Sequence, residues 1–105
     1  MEPIKTYEDF TEKINGSDKI VVKFFADWCP DCTRMNMFIP PILEEFNYVN
    51  WYEINRDEVE QPALDYDVMG IPSLLIFQNG EKLGHLHSAN AKTPEDVREF
   101  LQQNL

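Results

Sequence analysis

The chain has 105 residues, 43% apolar and 12% aromatic, with 19 acidic against 9 basic side chains and a formal charge of −10. That suits one domain, residues 1–105, with an ordinary core and no disorder, and it disfavours nucleic acid and anionic membrane as partners. No apolar run nears the roughly 20 residues of a membrane span, and residues 1–5 lack the basic and apolar regions of a secretory leader, so a cytoplasmic setting is expected.

In chain order, at most a short strand occupies residues 2–5. Thr6 then caps a helix whose stripe is Tyr7, Phe10 and Ile14, and Asn15-Gly16-Ser17 ends it. Residues 19–25, with Ile20-Val21-Val22 and Phe24-Phe25, read as a central strand buried on both faces, interrupted by Lys23. A helix from Pro30 carries Met35, Phe38, Ile39, Ile42, Leu43 and Phe46, and Pro40-Pro41 should kink or divide it. Residues 49–55 form a third strand, with Trp51, Glu53 and Asn55 on one face and Tyr52 and Ile54 on the other. A short helix over 59–66 and a loop at 68–72 follow. Residues 73–77 form another apolar strand. Asn79-Gly80 is a strong hairpin signal, returning residues 82–87 as an antiparallel edge. Thr93, Pro94 and Asp96 open a final helix with Val97, Phe100 and Leu101 inward. The fold class is α/β: a mixed four- to five-stranded sheet with helices on both faces.

The only two cysteines, Cys29 and Cys32, sit three apart where a strand hands over to a helix. Cys29 would meet unpaired N–H groups and the positive end of the helix dipole, which favour thiolate. Pro30 suits the first helical position. Cys32, about one turn on, would lie on the same side within disulfide reach. The pattern points to redox chemistry. The competing reading is half of a metal site, for which only His85 and His87 remain as further ligands, without the usual spacing.

The chain resembles the thioredoxin family nearly end to end. The resemblance rests on Phe24-Phe25-Ala26-Asp27-Trp28-Cys29-x-x-Cys32, on Gly70-Ile71-Pro72-Ser73-Leu74-Leu75-Ile76-Phe77 and on Asn79-Gly80-Glu81, with Pro30-Asp31 in the motif as in a Trp-Cys-Pro-Asp-Cys subgroup. It implies the thioredoxin fold and a thiol–disulfide oxidoreductase, a monomer without bound cofactor or metal. The implied substrates are protein or small-molecule disulfides, and the implied electron donor is a thioredoxin reductase or a low-molecular-weight thiol. By the same resemblance Cys29 is the exposed nucleophile, Cys32 the buried resolving thiol and Ile71-Pro72 a cis-proline loop. Trp28, Met69, Gly70 and Ser88 would line the substrate groove.

Several positions depart from the family pattern. Lys23 stands where the family has a buried acid, and Glu53 where a lysine is common, so a charge-swapped Lys23–Glu53 pair is expected beneath the cysteines, because a lone buried lysine is costly. Glu53 is then the favoured candidate to relay the Cys32 proton, with Asp31 and water, or neutral Lys23, as the alternatives. Asp31 should make Cys29 less acidic. Met37 replaces a usual proline, and Ser88 a usual glycine, which would narrow the cleft. Asp27, Asp31, Asp57 and Glu58 would surround the motif with negative charge or simply form a solvated face. Two alternatives remain: a redox-inactive binding module using the same groove, and a metal or iron–sulfur carrier liganded by the cysteines.

Overall fold

A computed structural model describes residues 1–105. Its elements run β1 (Glu2–Ile4), α1 (Tyr7–Ile14), β2 (Ile20–Phe25), α2 (Pro30–Phe38), α3 (Pro40–Glu45), β3 (Asn50–Asn55), α4 (Gln61–Asp65), β4 (Ser73–Gln78), β5 (Glu81–Leu86) and α5 (Pro94–Asn104), with a 3₁₀ turn over Ser88–Asn90. One five-stranded sheet has the order β1-β3-β2-β4-β5. β1, β3 and β2 are parallel, whereas β4 runs antiparallel to β2 and β5 antiparallel to β4.

Apolar side chains alternate across this sheet and build two cores. Val21, Leu74 and Ile76 meet Met35, Ile42 and Leu101 beneath α2, α3 and α5. On the opposite face Val22, Phe24, Leu75 and Phe77 meet Phe10 and Ile14 of α1. Burial on both sides explains why β2 and β4 read as nearly unbroken apolar runs. The fold expectation therefore holds: a mixed sheet, helices on both faces, with the central strand delivering the cysteine pair to its C-terminal end.

The prolines divide the long helix. α2 ends at Phe38 and α3 starts at Pro40, because a proline ring crowds the preceding turn and offers no N–H. At the hairpin, Asn79 and Gly80 both take positive φ, 53° and 81°, as the tight turn between twisted strands requires. Their N–H groups donate to Gly16 and Ile14 carbonyls at 2.8 Å each, docking the hairpin on the end of α1.

Candidate active site

β2 runs out at Phe25, and the chain turns through Ala26, Asp27 and Trp28 into α2. Cys29 is the N-cap of that helix, with extended backbone (φ −92°, ψ 108°), and Pro30 opens its first turn. Cys29 Sγ accepts the Cys32 N–H at 3.1 Å. The sulfur thus does what a capping oxygen does elsewhere, satisfying one of the donors a helix start leaves free, and a thiolate does so better than a thiol. The helix dipole acts in the same sense.

Cys29 and Cys32 are joined in a disulfide, Cα to Cα 5.2 Å. Both are buried, Cys29 4% exposed and Cys32 2%. Cys29 is therefore not the exposed side chain the sequence reading expects, since its sulfur is turned inward onto its partner and packed with Ala26, Phe25 and Ile71. On the loop side the Ile71 carbonyl oxygen lies 3.8 Å from Cys29 Sγ.

That loop is pinned from both ends. The Ile71–Pro72 bond is cis, Pro72 is buried, and the Ser73 hydroxyl donates to the Gly70 carbonyl at 2.7 Å. A Cβ on Gly70 would meet Ser88 Oγ, so Ser88 rests against the loop and a side chain at position 70 would have to displace its hydroxyl. Met69 and Trp28 flank the site at 85% and 62% exposure. The Trp28 ring is fixed rather than free: its Nε1–H donates to Asp57 Oδ2 at 2.7 Å, and the Arg56 guanidinium sits 5.5 Å from the ring centroid. Asp57 is itself placed by its N–H, which donates to buried Asn55 Oδ1.

Beneath the pair, the expected Lys23–Glu53 ion pair is not formed. The two are register partners on β2 and β3, yet Lys23, 1% exposed, extends to α2 and donates through Nζ to Asn36 Oδ1. Its long stem carries the nitrogen past its strand neighbour to the helix, where an amide oxygen four residues after Cys32 receives it. Burial pushes the Lys23 pKa down, and the charge of Glu53 partly opposes that shift.

The acidic surroundings are mostly compensated. Asp31 Oδ2 lies 2.6 Å from Lys92 Nζ, and its Oδ1 lies 3.7 Å from Arg34. The Lys92 hydrogen bond, then its charge, holds the Asp31 carboxyl below the usual range. Asp57 meets Arg56 and Glu58 meets Lys5. The residues the sequence reading missed are these partners: Lys92, Asn36, Arg56 and, as the anchor of Trp28, Asp57. Asn36 was within reach of sequence reasoning, at one turn's spacing from Cys32. Lys92, 61 positions from Asp31, carried no such signal. His85 on β5 and His87, one residue beyond the end of the strand, stack with ring centroids 3.8 Å apart, and no group of three or more metal-ligating side chains forms anywhere in the chain.

The thioredoxin family model matches residues 3–103. The chain belongs to the thioredoxin family. It is 28% identical to thioredoxin-1 of Saccharomyces cerevisiae over 100 residues, covering 95% of this chain and 94% of that protein. It is 32% identical to a thioredoxin of Echinococcus granulosus over 91 residues, 87% of this chain and 82% of the relative. A solved structure of Plasmodium falciparum thioredoxin superposes with a TM-score of 0.88 over 100% of both chains at 17% identity, which speaks for the fold alone. With the Cys29–Cys32 pair at bonding distance, this chain is a thiol–disulfide oxidoreductase, exchanging a dithiol for a disulfide. Like thioredoxins generally, it works on disulfide substrates and draws electrons from a reductase or thiol donor. No helix is long and apolar enough to cross a membrane.

Proposed function

We propose that the protein is chiefly a reductase of protein or small-molecule disulfides, with Cys29 attacking and Cys32 resolving. The observation that carries this is the bond from the Cys32 N–H to Cys29 Sγ at the head of α2, which favours charge on Cys29 and not on Cys32. In the first exchange, Cys29 thiolate attacks one sulfur of a target disulfide. A Cys29–target bond forms, the target bond breaks, and the second target sulfur leaves as thiolate and takes up a proton. Cys32, having lost its proton, then attacks Cys29 Sγ, releasing the remaining target thiolate and leaving the Cys29–Cys32 bridge. Two electrons reach the target, and an external dithiol or reductase restores the pair.

Trp28, Met69, Gly70, Ile71, Pro72 and Ser88 form the groove that receives an extended target segment, and Ser88 narrows it. Glu53, whose charge is felt at Lys23, is the proposed acceptor of the Cys32 proton. Glu53→Gln with an unchanged resolution rate across pH would remove it from that role. The Pro30-Asp31 dipeptide between the cysteines supports reading the chain as one of the Trp-Cys-Pro-Asp-Cys subgroup. A single thioredoxin-like domain over residues 1–105, acting as a cytoplasmic monomer without nucleic-acid or membrane partners, completes the reading.

Insulin reduction with dithiothreitol tests it. Wild-type protein should accelerate precipitation of the freed chains, Cys29→Ser should abolish the effect, and Cys32→Ser should trap a mixed disulfide visible by intact mass. A redox-inactive binding module would leave precipitation at the uncatalysed rate. A reduction potential near the roughly −120 mV of a strong oxidase would reverse the direction of exchange.

A further inference from the structure

We propose that Lys92 is a positioning residue for the thiol chemistry: held by the cap of α5, it clamps Asp31 and so keeps the charge within the motif from suppressing the Cys29 thiolate. This rests on the reading of Cys29 as the attacking thiol.

The backbone places Lys92 firmly. Thr93 caps α5, with its Oγ1 accepting the Asp96 N–H at 3.2 Å, and Asp96 Oδ2 accepts the N–H groups of both Thr93 and Lys92 at 3.2 Å. Ala91, just before, is buried. Between two fixed points the Lys92 side chain crosses to α2 and meets Asp31 Oδ2 at 2.6 Å. Asp31 has one other cation near it, Arg34 at 3.7 Å and more exposed than Lys92. The shorter contact is therefore the controlling one. An uncompensated carboxylate two residues from Cys29 would oppose a second negative charge there, while a neutralised one would not. The hydrogen bond to Lys92 and its charge also keep Asp31 ionised and in place, against a smaller opposing effect of burial. The pair acts as a unit: without Asp31, Lys92 has nothing to hold it beside the motif and returns to solvent.

The test is the pH dependence of Cys29 alkylation by iodoacetamide in the fully reduced chain, with the modified cysteine located by mass. Four variants are compared with wild type: Lys92→Gln, Lys92→Arg, Asp31→Asn and the Lys92→Gln/Asp31→Asn double. Thermal melts establish that each is folded. Lys92→Gln should raise the Cys29 midpoint by about half a unit, roughly threefold less thiolate on the acid side, with Arg34 limiting the rise. Lys92→Arg should restore the wild-type midpoint. In the Asp31→Asn background, Lys92→Gln should change little. Equal shifts in both backgrounds, or none in either, would overturn the clamp while leaving Cys29 as the attacking thiol. If Cys32 were alkylated first in wild type, the attacking-thiol reading and the clamp would fall together.

Discussion

Lys23 is the one charged side chain among the buried residues. It issues from an otherwise apolar strand, and its nitrogen has a neutral amide on α2 rather than a carboxylate as its direct partner. An amide satisfies the donor without repaying the loss of water around a charge. Burial lowers the native pKa below the ordinary value of 10.5. Between the lowered value and about 10.5 the unfolded chain therefore binds more protons than the native one, and stability must rise with pH across that window. Below it, native and unfolded chains are both protonated and the whole penalty is present. Replacing Lys23 with methionine, similar in length and uncharged, should stabilise the protein by about 1–3 kcal/mol at pH 7. The gain should shrink as pH climbs toward 10. Urea unfolding of both proteins at pH 7 and pH 9.5 reads this directly. A variant less stable than wild type at pH 7 would mean that the Asn36 bond and the attraction of Glu53 outweigh desolvation.

Elements whose identity follows from local pattern were readable from the chain: the buried runs of β2 and β4, the divided helix at Pro40-Pro41, the Asn79-Gly80 hairpin and the Thr93 cap all answer to spacing within a few residues. Side-chain partners across the fold were not. The sequence shows Lys23 and Glu53 on neighbouring strands, but it cannot show that a lysine stem overshoots its register partner to reach Asn36, or that the loop before α5 returns Lys92 to α2. β5 offers a sharper case. Alternation on an edge strand through residue 87 places His85 and His87 on one face; the strand ends at Leu86, yet the two rings do stack, and their environment comes from packing. His85 Nε2 is buried without a partner, and Lys82 Nζ lies 3.0 Å from Nδ1. Burial first, then His87 and Lys82, pushes the His85 pKa down to about 4. Between that value and the ordinary 6.5 the unfolded chain carries the extra proton, so this ring makes stability fall as pH drops through the window. Ring chemical shifts followed by NMR should give His85 a midpoint near 4, and Lys82→Met should move it upward. A midpoint near 6.5 in wild type would mean that the ring is solvated and that β5 is more open than its packing indicates.

At the scale of the whole molecule, short-range compensation and long-range charge separate. Lys92, Arg34, Arg56 and Lys5 sit against Asp31, Asp57 and Glu58, so near the sulfurs the pairs largely cancel. The chain as a whole still carries −10 within extents of 31 × 30 × 21 Å. A small disulfide approaching from solvent first meets that net charge, over a range set by ionic strength: about 30 Å at 0.01 M and about 10 Å at 0.1 M. The consequence is opposite salt slopes for substrates of opposite charge. The reaction of the reduced protein with cystamine, a dicationic disulfide, should slow by about threefold to tenfold between 10 mM and 300 mM salt, while reaction with oxidised glutathione, net anionic, should accelerate over the same range. Stopped-flow Trp28 fluorescence follows both, since that ring borders the reacting pair. Slopes reversed in sign, with cystamine accelerating and oxidised glutathione slowing as salt rises, would assign substrate attraction to the local cations instead, and the Lys92→Gln variant would then change the slope and not only the thiol midpoint. Opposite slopes that survive Lys92→Gln would separate the two scales: the fold's total charge governs encounter, and the clamp on Asp31 governs what the thiolate does once contact is made.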